Sequence, residues 1–372
     1  MPCPAGRGST VTASVTIRLS TGGKLLAFPG QMRLAESMRI ERWDSGDTAT
    51  AMACYEVFLA AHAADEPIEP PGSAGMFCTV LAKGHQRMPS EAWTAATATG
   101  GAITGFYLLE LPDLENKDRA WVLPYVHPAA RRRGTGRELV RHAAARAAGH
   151  GRSFLDGVTL ADSAGDAFAR AMGATLAIEE VRRVQDLRKI APGLIASLRE
   201  TAARAAAGYS LVTWTGPVPD EYLGQVADVY NAFGDAPRGE GHEAAAWDAD
   251  RIRERAGVLL QAGYLRGYAV AAIADATGEM AAITEIAIDP EYPEWAFQQL
   301  TAVTRAHRGH RLGLLVKSAM LEWLASAEPR VERVATGNAA SNEHMIAVNE
   351  ALGYEVVEPG YRHCELAVTG VR

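Results

Sequence analysis

A glycine- and arginine-rich turn occurs twice in this chain. The first copy is Val126-His-Pro-Ala-Ala-Arg131-Arg-Arg-Gly134-Thr-Gly136, and the second is Val303-Thr-Arg-Ala-His-Arg308-Gly-His-Arg311-Leu-Gly313. Each copy follows an apolar stretch typical of a strand and precedes a segment with helical character. Val126 and Val303, like Gly136 and Gly313, are 177 positions apart. The chain must therefore fold so that one strand, turn and helix unit is used twice.

Both turns have the features of an anion site. The first backbone N–H groups of a helix have no intrahelical partner and carry the positive end of its dipole, so they can hold a phosphate or pyrophosphate. Small residues let the ligand approach the backbone. The alternative is an ordinary tight turn, because neither copy has the P-loop ending or the three-glycine dinucleotide spacing. The residues expected at a phosphate are Arg131, Arg132, Arg133, Gly134, Thr135, Gly136 and Arg137 in the first turn, and Arg308, Gly309, His310, Arg311, Leu312 and Gly313 in the second.

The composition is that of a globular protein without a basic face. The 372 residues are 48% hydrophobic and carry a formal net charge of −7. Nucleic-acid binding usually needs a basic surface, and no apolar run reaches the roughly 18 residues that suggest a membrane span. The four cysteines are far apart, and structural roles are favoured over metal binding for His307 and His310. We expect a cytoplasmic bacterial protein that binds neither nucleic acid nor membrane and holds no metal.

The order of predicted elements divides the chain into two similar halves. A unit of strand, two helices, three strands, helix, strand, helix and strand is followed by a second such unit. Because sequence identity between the halves is low, duplication is an inference from order and spacing. The predicted organisation is a flexible extension over residues 1–36, a first domain over 37–188, a helical connector over 189–208 and a second domain over 209–372.

These residues resemble the GNAT superfamily of acyl-CoA-dependent N-acyltransferases, in the tandem form found among actinobacteria. The family signature Arg/Gln-x-x-Gly-x-Gly/Ala is matched by Arg131, Gly134 and Gly136, whereas Arg311 departs from it in the second turn. The segment from Asn338 and Asn342 to the Leu-Gly-Tyr354 ending is similar to the family's asparagine-led last helix. The resemblance implies an α/β (α+β) fold with two GNAT-like domains, each a mixed, mostly antiparallel central sheet flanked by helices.

The resemblance also implies a reaction. Acetyl-CoA would enter between the splayed fourth and fifth strands, with its pyrophosphate on the helix N-terminus and with Asn338 and Asn342 among the cofactor-binding residues. A backbone N–H near Val126 or Val303 would polarise the thioester carbonyl. A primary amine of a small molecule or peptide would then attack directly, after losing its proton to a carboxylate or through water.

The catalytic residues match the family less well. Many members protonate the departing thiolate with a Tyr in the last helix, and that position is Ala169 in the first half and Asn349 in the second. Tyr354 and Tyr361 are substitutes by proximity in sequence only. Glu285 lies mid-strand and is either an outward-facing charge or a buried base of raised pKa. The candidate catalytic residues are Glu285, Asn349 and Tyr354.

The acceptor side is represented by Asp235, Tyr292 and Trp295. Asp235 lies in the loop that covers the acceptor in the family, although it also suits a simple Asp-Ala-Pro turn. Tyr292 and Trp295 either wall an acceptor pocket or pack a hairpin. Three functions stay open: an acyltransferase, a CoA-binding or scaffold protein with inactive sites, and an enzyme with chemistry in one half. The protein is expected to be a monomer or a homodimer.

Overall fold

A computed structural model describes residues 38–371 apart from 67, 86–87, 98–100 and 235–240, and this part forms one compact unit. The extension predicted over residues 1–36 lies outside the described residues. Within the described ranges, no helix is long and apolar enough to cross a membrane.

The first half contains the predicted order of elements. Its strands and helices are β1 (Arg39–Arg42), α1 (Thr48–Asp65), α2 (Ala74–Lys83), β2 (Ser90–Ala96), β3 (Ile103–Glu110), β4 (Arg119–Val126), α3 (Thr135–Gly149), β5 (Phe154–Leu160), α4 (Ala164–Ala171) and β6 (Thr175–Asp186). Side chains cap several helices as their residue types predict. Asp47 accepts a hydrogen bond from the Thr50 amide at 3.0 Å, and Ser163 accepts one from the Asp166 amide at 3.2 Å.

The second half repeats that order after the helix α5 (Leu194–Ala205). Its elements are β7 (Tyr209–Thr215), α6 (Leu223–Phe233), α7 (Ala249–Gln261), β8 (Arg266–Ala274), β9 (Met280–Ile288), β10 (Trp295–Val303), α8 (Leu312–Ala327), β11 (Arg333–Ala339), α9 (Glu343–Ala351) and β12 (Glu355–Ala367). The predicted connector contributes to packing, because Ala202 and Ala206 are buried in the same core cluster as α8.

The two halves share one twelve-stranded sheet in the order β1-β2-β3-β4-β5-β12-β6-β11-β10-β9-β8-β7. The sheet is mixed and mostly antiparallel. Among the described strands, only β4 with β5 and β10 with β11 pair in parallel.

The last strands of the two halves are exchanged. β12, the final strand of the second half, pairs with β5 of the first, while β6 of the first half pairs with β11 of the second. β6 and β12 also pair with each other, so they join the two sets of strands. Each half's sheet is thus completed by a strand from the other half. The boundaries drawn along the sequence remain a prediction, and the sheet crosses them.

Helices cover both faces of the sheet in each half. In β3, Phe106 and Leu108 belong to the core cluster under α1 and α2, and the alternate residues Tyr107 and Leu109 belong to the cluster under α3. In β8, residues 269 and 271 pack with the α6 cluster, and residues 270 and 272 pack with the α5 and α8 cluster. This alternation, which follows from the two-residue period of a strand, places α8 on one face of the second half and α6 on the other.

Candidate active site

Each half has a gap between its two parallel strands. β4 pairs with β5 only from Arg119 to Trp121, and β10 pairs with β11 only from Trp295 to Phe297. Beyond these residues the two strands of each pair no longer form partners. They separate toward the edge of the sheet where the Gly/Arg turn leads into the next helix. We call the gap between β10 and β11 the second-half slot.

A β-bulge distinguishes the second half from the first. The register of β10 against β9 shifts between Gln298 and Leu300, whereas β4 pairs with β3 without interruption. The bulge changes which face the side chains take. Ala296 packs with the α8 cluster, but Leu300 packs with the α6 cluster. The first-half counterpart of Thr301, 177 positions earlier, is Pro124, which has no backbone N–H group that could donate a hydrogen bond.

The second-half slot opens into a cavity of about 280 Å³. Gln298 and Thr301 of β10, Asn338 of β11 and Asn342 at the start of α9 line it. Glu180 and His363 line it as well, and they come from the exchanged strands β6 and β12. Asn338 and Asn342, which the resemblance assigned to the cofactor, therefore both border this space.

The two Gly/Arg turns have the same backbone conformation with different residues. Arg132 (φ 63°) and Gly134 (φ 91°) are left-handed in the first turn, and Gly309 (φ 90°) and Arg311 (φ 54°) are left-handed in the second. Both pairs are 177 positions apart. A non-glycine residue in this conformation costs about 1–2 kcal/mol. The second turn therefore keeps its shape at Arg311, where the sequence departs from the signature.

The two turns are tied to the preceding strands by arginine. Arg131 Nε donates to the Val126 carbonyl at 3.2 Å, and its two terminal nitrogens donate to Asp65 at 2.8 and 2.6 Å. Arg308 Nε donates to the Val303 carbonyl at 3.5 Å. Arg131 thus pins the turn to the end of α1. This bidentate pairing gives it a structural role, in addition to the phosphate contact predicted from sequence.

The remaining turn residues occupy the helix starts. Thr135, Gly136 and Arg137 begin α3, and Leu312 and Gly313 begin α8. His310 lies beside Tyr209, with ring centroids 5.5 Å apart, and His307 Nδ1 is 2.9 Å from the Tyr209 hydroxyl. Over the described ranges, no group of three or more His, Cys, Asp or Glu residues could hold a metal ion.

Glu285 lies on the α6 face of the sheet, opposite α8. The Tyr230 hydroxyl donates to its carboxylate, and Arg255 Nη1 donates to it at 3.2 Å. The side chain is 13% exposed. Burial, together with the nearby Glu285 charge, raises the pKa of Tyr230. Glu285 is therefore a half-buried, paired carboxylate, rather than the outward-facing charge that the sequence left as an alternative.

Asn349 and Tyr354 are buried next to the second-half slot. Asn349 Nδ2 donates to Asn338 Oδ1 at 2.7 Å, so Asn349 supports a residue that lines the cavity. Burial raises the pKa of the Tyr354 hydroxyl. Neither Asn349 Oδ1 nor this hydroxyl has a hydrogen-bond partner within the part of the chain that the structure describes.

The predicted acceptor residues do not meet at the cavity. Trp295 is stacked on Phe297, with centroids 6.3 Å apart, and lies under the Arg333 guanidinium. Tyr292 belongs to the turn before β10. Neither lines the cavity, and their place on the acceptor side stays a prediction. Asp235 lies outside the described residues.

Sequence reasoning missed a polar group on the α8 side of the slot. Lys317 of α8 lines the cavity, and its Nζ donates to Gln298 Oε1 at 2.9 Å. Gln298 Nε2 in turn contacts the Leu300 carbonyl at 2.9 Å and the Glu285 carbonyl at 2.6 Å, across the bulge. The available signal was a single lysine inside the apolar run Leu-Gly-Leu-Leu-Val-Lys-Ser-Ala-Met-Leu.

In each of two similar halves, two parallel strands diverge beside the start of a helix. This arrangement defines the class of protein as a tandem acyltransferase fold. Known proteins agree. The profile of the Acetyltransferase (GNAT) family matches residues 53–174. A tandem GNAT protein from the clavulanic acid biosynthesis pathway is 30% identical, with a TM-score of 0.73 over 89% of this chain and 99% of that one. The chain therefore belongs to the GNAT family, as a tandem member, and acyl transfer is the general chemistry of that family.

More distant structures share the fold. A GCN5-related N-acetyltransferase from Sphaerobacter thermophilus is 16% identical, with a TM-score of 0.60 over 89% of this chain and 96% of that one. The glucosamine N-acetyltransferase region of a fungal multi-domain GH3 β-N-acetylglucosaminidase is 14% identical, also with a TM-score of 0.60, over 89% of this chain and 38% of that one. A comparison with curated proteins gives no match.

Proposed function

We propose that this protein is an N-acetyltransferase that moves an acetyl group from acetyl-CoA to a primary amine of a small molecule or peptide. The cavity in the second-half slot, bordered by the β10 bulge and the start of α9, carries the proposal. It offers space where the family places the pantetheine arm, beside the amides that begin α8. The left-handed backbone of Gly309 and Arg311 shapes the turn beside those amides.

In this mechanism the acceptor amine approaches from the α6 face. Glu285, tied to Tyr230 and Arg255, takes its surplus proton, and the amine nitrogen attacks the thioester carbonyl held at the bulge. The first half keeps the full signature and is proposed to bind CoA as well. Catalysis is assigned to the second half, because the bulge of β10 lies beside the cavity there.

A direct assay tests the proposal. Release of free CoA from acetyl-CoA is followed with a panel of primary amines, for the parent chain and for Gly313→Val. Gly313 lies at the start of α8, and an added Cβ would be in ordinary contact with Val303 at 3.8 Å, so the two further methyl groups of valine would press on the end of β10. Amine-dependent thioester cleavage that is lost in the variant supports the proposal. CoA binding without cleavage for every amine would favour the alternative of a CoA-binding or scaffold protein.

The setting of the reaction is also proposed. The described cysteines, Cys54, Cys78 and Cys364, are free thiols, in keeping with a reducing cytoplasmic compartment. The acidic net charge of −7 favours a cationic amine as acceptor and no nucleic acid or membrane as partner, with the protein a monomer or homodimer.

A further inference from the structure

A buried lysine amine lies in the second-half slot. Lys317 is 2% exposed, and its Nζ lies 4.8 Å from the centroid of the Tyr354 ring. Its one hydrogen-bond partner among the described residues is the neutral amide oxygen of Gln298. Burial lowers the pKa of Lys317 from 10.5 to about 7. The group can therefore gain and lose a proton near neutral pH.

The fold does not require a lysine at this position. The residue 177 positions earlier, on the matching helix of the first half, is Val140, which is buried in an apolar cluster. Apart from Ser318, the residues next to Lys317 on α8 are also apolar core residues. Valine or methionine would fill this space without an amine to desolvate, so packing alone gives no reason for Lys317.

Lys317 is aimed at the point where the thioester would react. Its partner Gln298 immediately precedes the bulge, and Gln298 Nε2 is fixed on the Leu300 and Glu285 carbonyls, so Gln298 Oε1 is turned toward the amine. Glu285 lies on the opposite face of the sheet. A thioester held at the bulge would lie between Lys317 on one face of the sheet and Glu285 on the other.

We propose that Lys317 is a catalytic residue that donates a proton to the sulfur of the departing CoA thiol. The assignment rests on the proposed function. As the C–N bond forms, the C–S bond breaks and its electron pair stays on sulfur. The proton moves from the Lys317 ammonium to that sulfur, while the surplus proton of the attacking amine passes to Glu285. Lys317 is left as a neutral amine, the form that burial favours, and regains a proton from solvent once CoA has left.

The titration of CoA bound as product tests this placement without an acceptor. The ultraviolet absorbance of the thiolate is followed against pH with CoA bound to the parent chain, to Lys317→Met and to Ser318→Ala. Ser318 is the matched control, because it is a buried α8 residue whose hydroxyl donates to the Leu314 carbonyl within the helix at 2.7 Å. Glu180 and His363 are the other titratable side chains in the cavity, and Tyr354 lies beneath the amine; all three are unchanged in both variants.

The Lys317 amine and the CoA sulfur share a proton in this arrangement and titrate as a coupled pair, so the thiolate forms at a lower pH with the amine present than without it. We therefore expect the pKa of the bound thiol to be lower in the parent chain and in Ser318→Ala than in Lys317→Met, by about one pH unit or more. In turnover with acetyl-CoA, Lys317→Met should lower kcat by about 10²-fold with little change in KM. The loss should shrink with an acetyl thioester of an aryl thiol, because that leaving group departs without a proton.

Three results would overturn the inference. If CoA binds with the same thiol pKa in parent and Lys317→Met, Lys317 does not lie at the sulfur, while the proposed function stands. If peptide mass mapping finds an acetyl group on Lys317 after incubation with acetyl-CoA, the residue is a nucleophile and not an acid. If CoA does not bind to the second half at all, measured by calorimetry with Gly134→Val to weaken the first turn, the proposed function fails together with the inference.

Discussion

Replacing Lys317 by methionine should make the protein more stable, by an amount that depends on pH. A lowering of the Lys317 pKa from 10.5 to about 7 corresponds to roughly 5 kcal/mol of cost for keeping the ammonium in the folded state. Below pH 7 the lysine is protonated in both the folded and the unfolded state, so the full cost applies. Between pH 7 and 10.5 the unfolded chain holds a proton that the folded chain has released, so the stability of the parent increases with pH. Above pH 10.5 the cost is gone.

Methionine has nearly the same length and no charge, so Lys317→Met removes this cost and keeps the packing. At pH 7 the variant should exceed the parent by about 4 kcal/mol in free energy of unfolding, and the difference should fall by about 1.4 kcal/mol for each pH unit up to pH 10. Urea denaturation at pH 7, 8, 9 and 10 measures it. Ser318→Ala, which removes no titrating group, should differ from the parent by a constant amount. A difference for Lys317→Met that does not change with pH, or a variant less stable than the parent at pH 7, would refute the reasoning.

Three further outcomes are expected. Gly134→Val places a branched residue at φ 91° and should weaken CoA binding in the first half more than Gly136→Ala, whose Cβ would lie at ordinary contact distance from its neighbours; equal calorimetric affinities would contradict this. Glu285→Gln should reduce turnover by roughly 10²-fold, with partial recovery at higher pH and CoA binding intact; near-normal kcat would remove Glu285 from the mechanism. Fragments 37–208 and 209–372, made separately, should each lack a partner for an exchanged strand, so they should form a stable complex only when mixed. Urea denaturation measures the stability of each fragment. If fragment 37–208 alone were as stable as the same residues in the full chain, the result would argue against the exchange.

The local elements of this fold could be predicted because they depend on short-range patterns. A few neighbouring residues are enough to specify an alternating strand, a capped helix or one of the Gly/Arg turns. The offset of 177 between the two turns indicates that the pattern is used twice. The departure at Arg311 is a clear case. The sequence shows a missing glycine, but only the backbone dihedrals show that Gly309 and Arg311 have taken the same left-handed positions as Arg132 and Gly134.

The site could be predicted only in part, because its side chains are brought together by long-range pairing. Glu285 was found as a mid-strand carboxylate, but its partners Tyr230 and Arg255 are far away in sequence. For Trp295 the sequence leaves a pocket wall and hairpin packing open, and its contact with Arg333, 38 positions later, cannot be read from the local pattern. Lys317 was overlooked, because a helical lysine is usually solvated and its burial follows from the contact of α8 with the bulged strand.

The strand exchange is the feature that the sequence predicts least, and it determines which strands form the wall of the site. In chain order β6 belongs to the first half, yet it pairs with β11 and brings Glu180 to the cavity of the second. Gly337 of β11 makes room for that carboxylate, since a Cβ added there would overlap Glu180 Oε1. His363 of β12 lies 3.0 Å from the same carboxylate. The wall of the slot is therefore built from both halves. This gives a physical reason for the two halves to stay in one chain, even if only the second performs the chemistry.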